Sequence, residues 1–201
     1  MTKYLMTKSN LFVNNWVKLT SAYLVTFVTI VFVTFINGQA YIGGNLVWLP
    51  LGAVLICYLL FGFRVFAAVF LAITASSLWF HEATFRGINL LHFVGTFAPL
   101  LAIASMKFFK LSNFFDGEKI IFQHLLFLAI LTAFYNTLTK FFVYSYLSDS
   151  PSSINGLQFI QNYLIGDILG CLVVLLFAAL IVVPGIRYFF PSLVPADDKA
   201  G

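Results

Sequence analysis

"NYLIGDILGCLVVLLFAAL", residues 162–180, carries a single charged side chain, Asp167, in an otherwise apolar run. A helix needs about 20 apolar residues to cross a hydrocarbon layer of about 30 Å. This stretch and its flanks supply them, so a membrane-spanning helix is expected over 157–186. The rest of the chain reads the same way. Its 201 residues are 61% hydrophobic and only 9% charged, and 25 of them are Phe. A soluble domain carries about 25% charged residues. So few charges cannot cover a water-facing surface. The expected class is an all-α polytopic membrane helix bundle.

Five further segments have the length of a span. "WVKLTSAYLVTFVTIVFVTFIN" covers 16–37 and "GNLVWLPLGAVLICYLLFGF" covers 44–63. The others fall near 65–80, 87–109 and 119–147. The apolar run of the first exceeds the roughly 7–15 residues of a signal-peptide core, so it is read as a retained helix. Residues 1–16, with their mix of Lys, Asn and bulky apolar groups, suit a segment on the cytoplasmic interface. Disorder is the competing reading there. Residues 17–187 then form one six-helix domain, and 188–201 a short cytoplasmic tail.

Basic residues set the orientation. With the N-terminus inside, Lys3, Lys8, Lys18, Arg64, Lys107, Lys110, Lys119, Arg187 and Lys199 all fall on the cytoplasmic side. Only Arg86 and Lys140 fall toward the other. The expected topology therefore has both termini inside. The net charge of +4 is spread between apolar segments with no basic run, so no nucleic-acid partner is expected.

Asp167 lies ten residues into the sixth segment. At 1.5 Å per residue that is roughly 15 Å deep, near the midplane. An exposed charge there costs at least about 2.5–3.5 kcal/mol. Asp167 is therefore expected to face the bundle interior, neutral or paired. Lys140, late in the fifth segment, is the partner at similar depth, and Asn136 one turn earlier can add a hydrogen bond. Together they read as an intramembrane polar tie or a ligand site. Gly166 and Gly170 form a small-xxx-small face that lets another backbone approach. Asp167 and this face are expected to meet the same neighbour. In "VWLPLGAVL", 47–55, Trp48 is placed at the membrane interface. There Pro50 frees a backbone carbonyl and Gly52 removes bulk.

"WFHEATFR", 79–86, brings His81, Glu82 and Arg86 close together on the outer side. It reads as a solvated turn with an ion pair, or as an external recognition spot. His92 and His124 belong to opposite leaflets and cannot share a haem. Cys57 and Cys171 lie inside apolar segments without metal or redox spacing. No phosphate loop, nucleophile elbow or zinc pair occurs. No enzyme activity, metal or cofactor is expected.

Two stretches resemble the membrane-associated sensor domain, first class (MASE type). "NLVWLPLGAVLICYLLFGFRVFAAVFLAITASSLWF" is similar to that family's second and third helices, through Trp48, Pro50, Gly52, Gly62 and Arg64. "NYLIGDILGCLVVLLFAAL" is similar to its last helix, which carries a G-D-x-x-G signature, here Gly166, Asp167 and Gly170. Leu49 stands where the family tends to have a proline, and Tyr163 where a tryptophan is common. The resemblance covers about 45–186. It implies a bacterial inner-membrane sensory module, of the kind found upstream of kinase or cyclic-dinucleotide enzymes.

The expected function is a non-catalytic sensory or scaffold module. Its partners would be the lipid bilayer and another membrane protein or complex, with a small ligand possible in principle. A small transporter or substrate-binding subunit is the first alternative, and a structural subunit of a larger complex the second. No repeat with matching broken helices stands out, which counts against transport.

Overall fold

The computed structural model describes residues 2–37, 47–80, 85–111, 122–147 and 155–182. These residues form six α-helices and no strand. They are α1 Thr2–Asn37, α2 Leu49–Phe61, α3 Phe66–Phe80, α4 Phe85–Phe108, α5 Phe122–Leu147 and α6 Gly156–Phe177. A 3-10 turn, Phe63–Val65, leads from α2 into α3, and a π-helical turn, Ala178–Val182, prolongs α6. Four helical stretches are long and apolar enough to cross a membrane: Asn15–Ile36, Phe63–Phe80, Gln123–Tyr146 and Gly156–Ile181. The apolar stretches Leu49–Phe61 and Phe93–Phe108 are shorter.

The size distribution of side chains is the reverse of a soluble core. Ala22, Ala53, Ala72, Ala98, Ala102, Ala129 and Ala133 are buried. Phe35, Phe108, Trp79 and Leu180 point outward and are exposed. In water such a surface would be one large apolar patch. In lipid the large groups meet acyl chains, and the small ones let helix backbones close on each other. The fold is consistent with a membrane protein.

α2 occupies the middle. It packs against α1, α4 and α6 and touches α5, while α1, α3, α4, α5 and α6 follow one another around it. Every residue from Pro50 to Leu55 is buried, with Cys57 and Tyr58. The helix stops at Gly62, whose φ of 73° lies in the left-handed region and whose N–H closes onto the Tyr58 carbonyl at 2.9 Å. A residue without Cβ takes that conformation without strain, so the chain can turn directly into α3. α6 begins where the Asn155 side chain accepts from the Gln158 N–H at 3.2 Å, satisfying one of the free donors of its first turn.

Two segments differ from expectation. The first helix begins at Thr2 and runs on unbroken through the expected interfacial stretch. The second covers 49–61 rather than 44–63. Its 13 residues extend about 20 Å, short of the hydrocarbon thickness. Pro50 sits in its first turn, where a missing N–H costs nothing because that donor has no intrahelical acceptor.

Candidate functional site

The site grows from the pairing of α5 with α6. The two helices run antiparallel, and three rungs cross between them. Asn136 faces Asp167, with its Nδ2 donating to Oδ2 at 2.6 Å. One turn further along α5, the Lys140 ammonium stands 5.3 Å from the centre of the Tyr163 ring. A turn beyond that, Tyr144 meets Phe159 edge to face at 5.4 Å. Each rung advances four residues on α5 and retreats four on α6, as packed antiparallel helices require.

The register gives the two expected partners of Asp167 different contacts. Lys140 lies opposite Tyr163, one turn from Asp167, and is coupled to the acid electrostatically rather than by a direct hydrogen bond. Its ammonium also lies over two aromatic faces, those of Tyr163 and of Trp48, the latter at 6.0 Å. Both distances suit a cation held by ring quadrupoles. Asp167 is the only acid among the described residues, and it is 1% exposed. Asn136 is fully buried beside it, and its Oδ1 has no hydrogen-bond partner.

The glycine face meets a different helix from the acid. Gly166 accepts the Trp48 N–H on its carbonyl at 2.9 Å. A Cβ on Gly170 would overlap the Trp48 carbonyl, and it would stand 2.9 Å from the Leu49 nitrogen. A Cβ on Gly52 would come within 2.9 Å of the Cys171 Cα. So α2 lies along the Gly166–Gly170 side of α6, while Asp167 turns to α5. The expectation of one shared neighbour fails for a geometric reason. Adjacent helical residues differ by about 100° in direction, enough here to reach separate helices.

The same contacts fix Trp48. Its backbone is bonded to α6 one residue from Asp167. α2 therefore starts at the level of the acid, partway along α6. No side chain caps this helix start. The Gly166 carbonyl takes the Trp48 donor, and Pro50 removes another donor that would otherwise be stranded among apolar groups.

α4 supplies the fourth wall. Pro99 lies inside it and is buried. Proline has no N–H to return to the carbonyl four residues earlier, that of Gly95. A Cβ on Gly95 would stand 3.3 Å from Asn136 Oδ1, 3.4 Å from Lys140 Cε and 3.8 Å from Lys140 Nζ. The glycine thus leaves room for both polar groups against α4. The neighbouring Thr96 carbonyl accepts the buried Tyr58 hydroxyl at 3.2 Å, tying α2 to this weakened turn.

Of the residues expected to matter, Asp167, Asn136, Lys140, Trp48, Gly166 and Gly170 come together here, with Pro50 and Gly52 lining the α2 side. His81 and Glu82 lie outside the described residues. Arg86 falls in the first turn of α4, and its side chain lies outside them too. Gly95, Pro99, Tyr58 and Tyr163 complete the site and were not among the expected residues. Pro99, within an apolar segment, was the visible signal for the first two. Among the described residues no three His, Cys, Asp or Glu side chains gather as a metal site would need. The carboxamide bonded to Asp167 neither gives nor takes a proton, so the bond joins α5 to α6 without itself moving one. No protein-family model, curated protein or solved structure matches the chain.

Proposed function

We propose that this chain is a non-catalytic integral membrane module, sensory or scaffolding, that acts through a partner membrane protein. In this reading the bundle lies in the bilayer with both termini cytoplasmic, and α2 alone is too short to cross it. The excess of Lys and Arg on one side supports that topology. The resemblance of the Trp48–Arg64 and Gly166–Gly170 stretches to MASE-type sensor domains supports a bacterial inner membrane and a signalling partner.

One observation carries the reading. The single described acid is spent on joining two helices, and a third helix begins on the adjacent glycines. Such a junction links α2, α5 and α6 at one point. A change at that point alters how the helices pack, which is what a sensor or scaffold needs and a catalyst does not. Transport is the second reading. It gains from the start of α2 partway along α6 and from Pro99 in α4, because interrupted helices around buried polar groups build transporter sites.

Purification from the native membrane in mild detergent, with mass spectrometry of what stays bound, tests the proposal. A signalling enzyme or membrane complex in stoichiometric amount supports it. A chain that emerges alone contradicts it. Asp167→Asn separates the two readings: a scaffold loses partner retention or stability, whereas a transporter stays assembled and loses flux.

A further inference from the structure

Two basic residues gather at one end of the bundle with no described group to answer them. Lys18 lies in the first turn of the apolar stretch Asn15–Ile36, and Arg64 in the first turn of Phe63–Phe80. The two stretches begin side by side. Thr26 on α1 stands against Cys57 on α2. From that contact α1 runs back to Lys18 over eight residues, and α2 with its turn runs on to Arg64 over seven. The 3-10 turn that holds Arg64 packs on α1. Val65, next to Arg64, belongs to the core cluster, and Leu19, next to Lys18, packs against that cluster.

Neither cation has an ion pair or a hydrogen bond among the described residues. The one described acid, Asp167, stands at the start of α2, whereas Arg64 follows its end, about 20 Å further along this 13-residue helix. Lys18 is also partly buried. Lys107 and Lys110, at the end of α4, are exposed, so water serves them. Trp16 and Phe63, 57% and 50% exposed, lie beside the two cations in sequence. Aromatic rings and cations together at the end of an apolar span mark the headgroup level of a bilayer.

We propose that Lys18 and Arg64 together hold the phosphate of an anionic phospholipid in the leaflet where these two spans begin. The Arg64 guanidinium presents a planar fork to two phosphate oxygens, and the Lys18 ammonium adds a compact charge. The acyl chains run along the outward faces of α1 and α3, which pack on each other and expose Leu24, Val28 and Leu71. A lipid phosphate suits this position better than a protein carboxylate. It already stands at the level where the spans end, and no second chain has to be desolvated to bring it there. This inference needs the bundle in a bilayer but not the sensory reading, and it holds whichever partner receives a signal.

The test is native mass spectrometry of the full chain in mild detergent, with equal amounts of phosphatidylglycerol and phosphatidylcholine carrying the same acyl chains. One basic residue at a membrane surface favours an anionic lipid about fivefold, so the pair should favour phosphatidylglycerol about 25-fold. Lys18→Gln combined with Arg64→Gln should bring the preference below about threefold. Lys107→Gln combined with Lys110→Gln removes the same charge and should keep most of it. Arg64 is exposed, so Arg64→Gln alone should lower the preference about fivefold even if the double variant does not fold. The proposal is overturned if the wild type binds the two lipids alike, if Arg64→Gln changes nothing, or if both double variants lose the preference equally, which is the behaviour of diffuse surface charge. Equal binding of the two lipids with the partner still retained would refute this site and leave the scaffold reading standing.

Discussion

Asn136→Leu should destabilise the protein more than Asn136→Leu combined with Asp167→Leu. The bond between these residues is short, 2.6 Å, and both ends are at most 1% exposed. A hydrogen bond to a charged group contributes about 1.5–3 kcal/mol in soluble proteins. Interhelical bonds within membranes average about 0.6 kcal/mol and reach about 1.7, because separated helices find other partners in lipid. Here the bond joins a carboxylate to a fully buried carboxamide at short range. The coupling should therefore sit near the upper membrane value, about 1–1.7 kcal/mol. Losing the donor alone also strands a buried acceptor, so the single variant should lose about 2 kcal/mol. At about 2–4 °C per kcal/mol for a chain of this size, that is a fall of roughly 4–8 °C in melting temperature. The double variant replaces both polar groups by apolar ones and should recover about half of the loss. A double-mutant cycle on the purified chain in one detergent measures this. A coupling below about 0.3 kcal/mol, within ordinary additivity, would refute the argument that these side chains tie α5 to α6.

Three further outcomes follow from the helix contacts. Gly170→Ala should cost about 1–3 kcal/mol, because the added methyl meets the backbone of Trp48, which cannot swing aside. A melting temperature equal to wild type would mean that α2 does not start on this glycine. Gly62→Ala should cost about 1–3 kcal/mol through its backbone alone, since φ 73° with ψ −172° is a conformation essentially confined to glycine and nothing lies near the added Cβ. Stability equal to wild type would exclude that backbone conformation there. Tyr58→Phe should lose about 0.5–1.5 kcal/mol by removing the bond to the Thr96 carbonyl, read as a lower denaturation midpoint.

Helix class, and the importance of Asp167, were legible because both follow from local composition. A run of apolar residues spans whatever its neighbours do, and a lone acid within it must be answered. Asn136 and Lys140 were legible as partners, but not which contact each makes. Depth along a helix can be estimated from sequence to about a turn, and one turn separates Asn136 from Lys140. The antiparallel register that places Asn136 at Asp167 and Lys140 at Tyr163 belongs to two helices together, and no single segment encodes it. Trp48 shows the same limit. Its side chain suggests an interface, but its backbone N–H bond to the Gly166 carbonyl is a contact between residues far apart in the chain, which neither segment encodes alone. Gly95 carries no signal of its own. Its meaning comes from Pro99 four residues on and from Asn136 and Lys140 across the helix pair.

The account turns on α2 beginning at the level of Asp167, with Trp48 deep in the bundle. The chain has 3 Trp, so Trp16→Phe and Trp79→Phe leave Trp48 as the sole reporter. Its fluorescence in bilayers of lipids brominated at different acyl positions measures its depth. Strongest quenching by bromines near the bilayer centre is the predicted result. Strongest quenching by bromines just below the headgroups would place Trp48 at the interface and contradict the junction on which the proposed function rests.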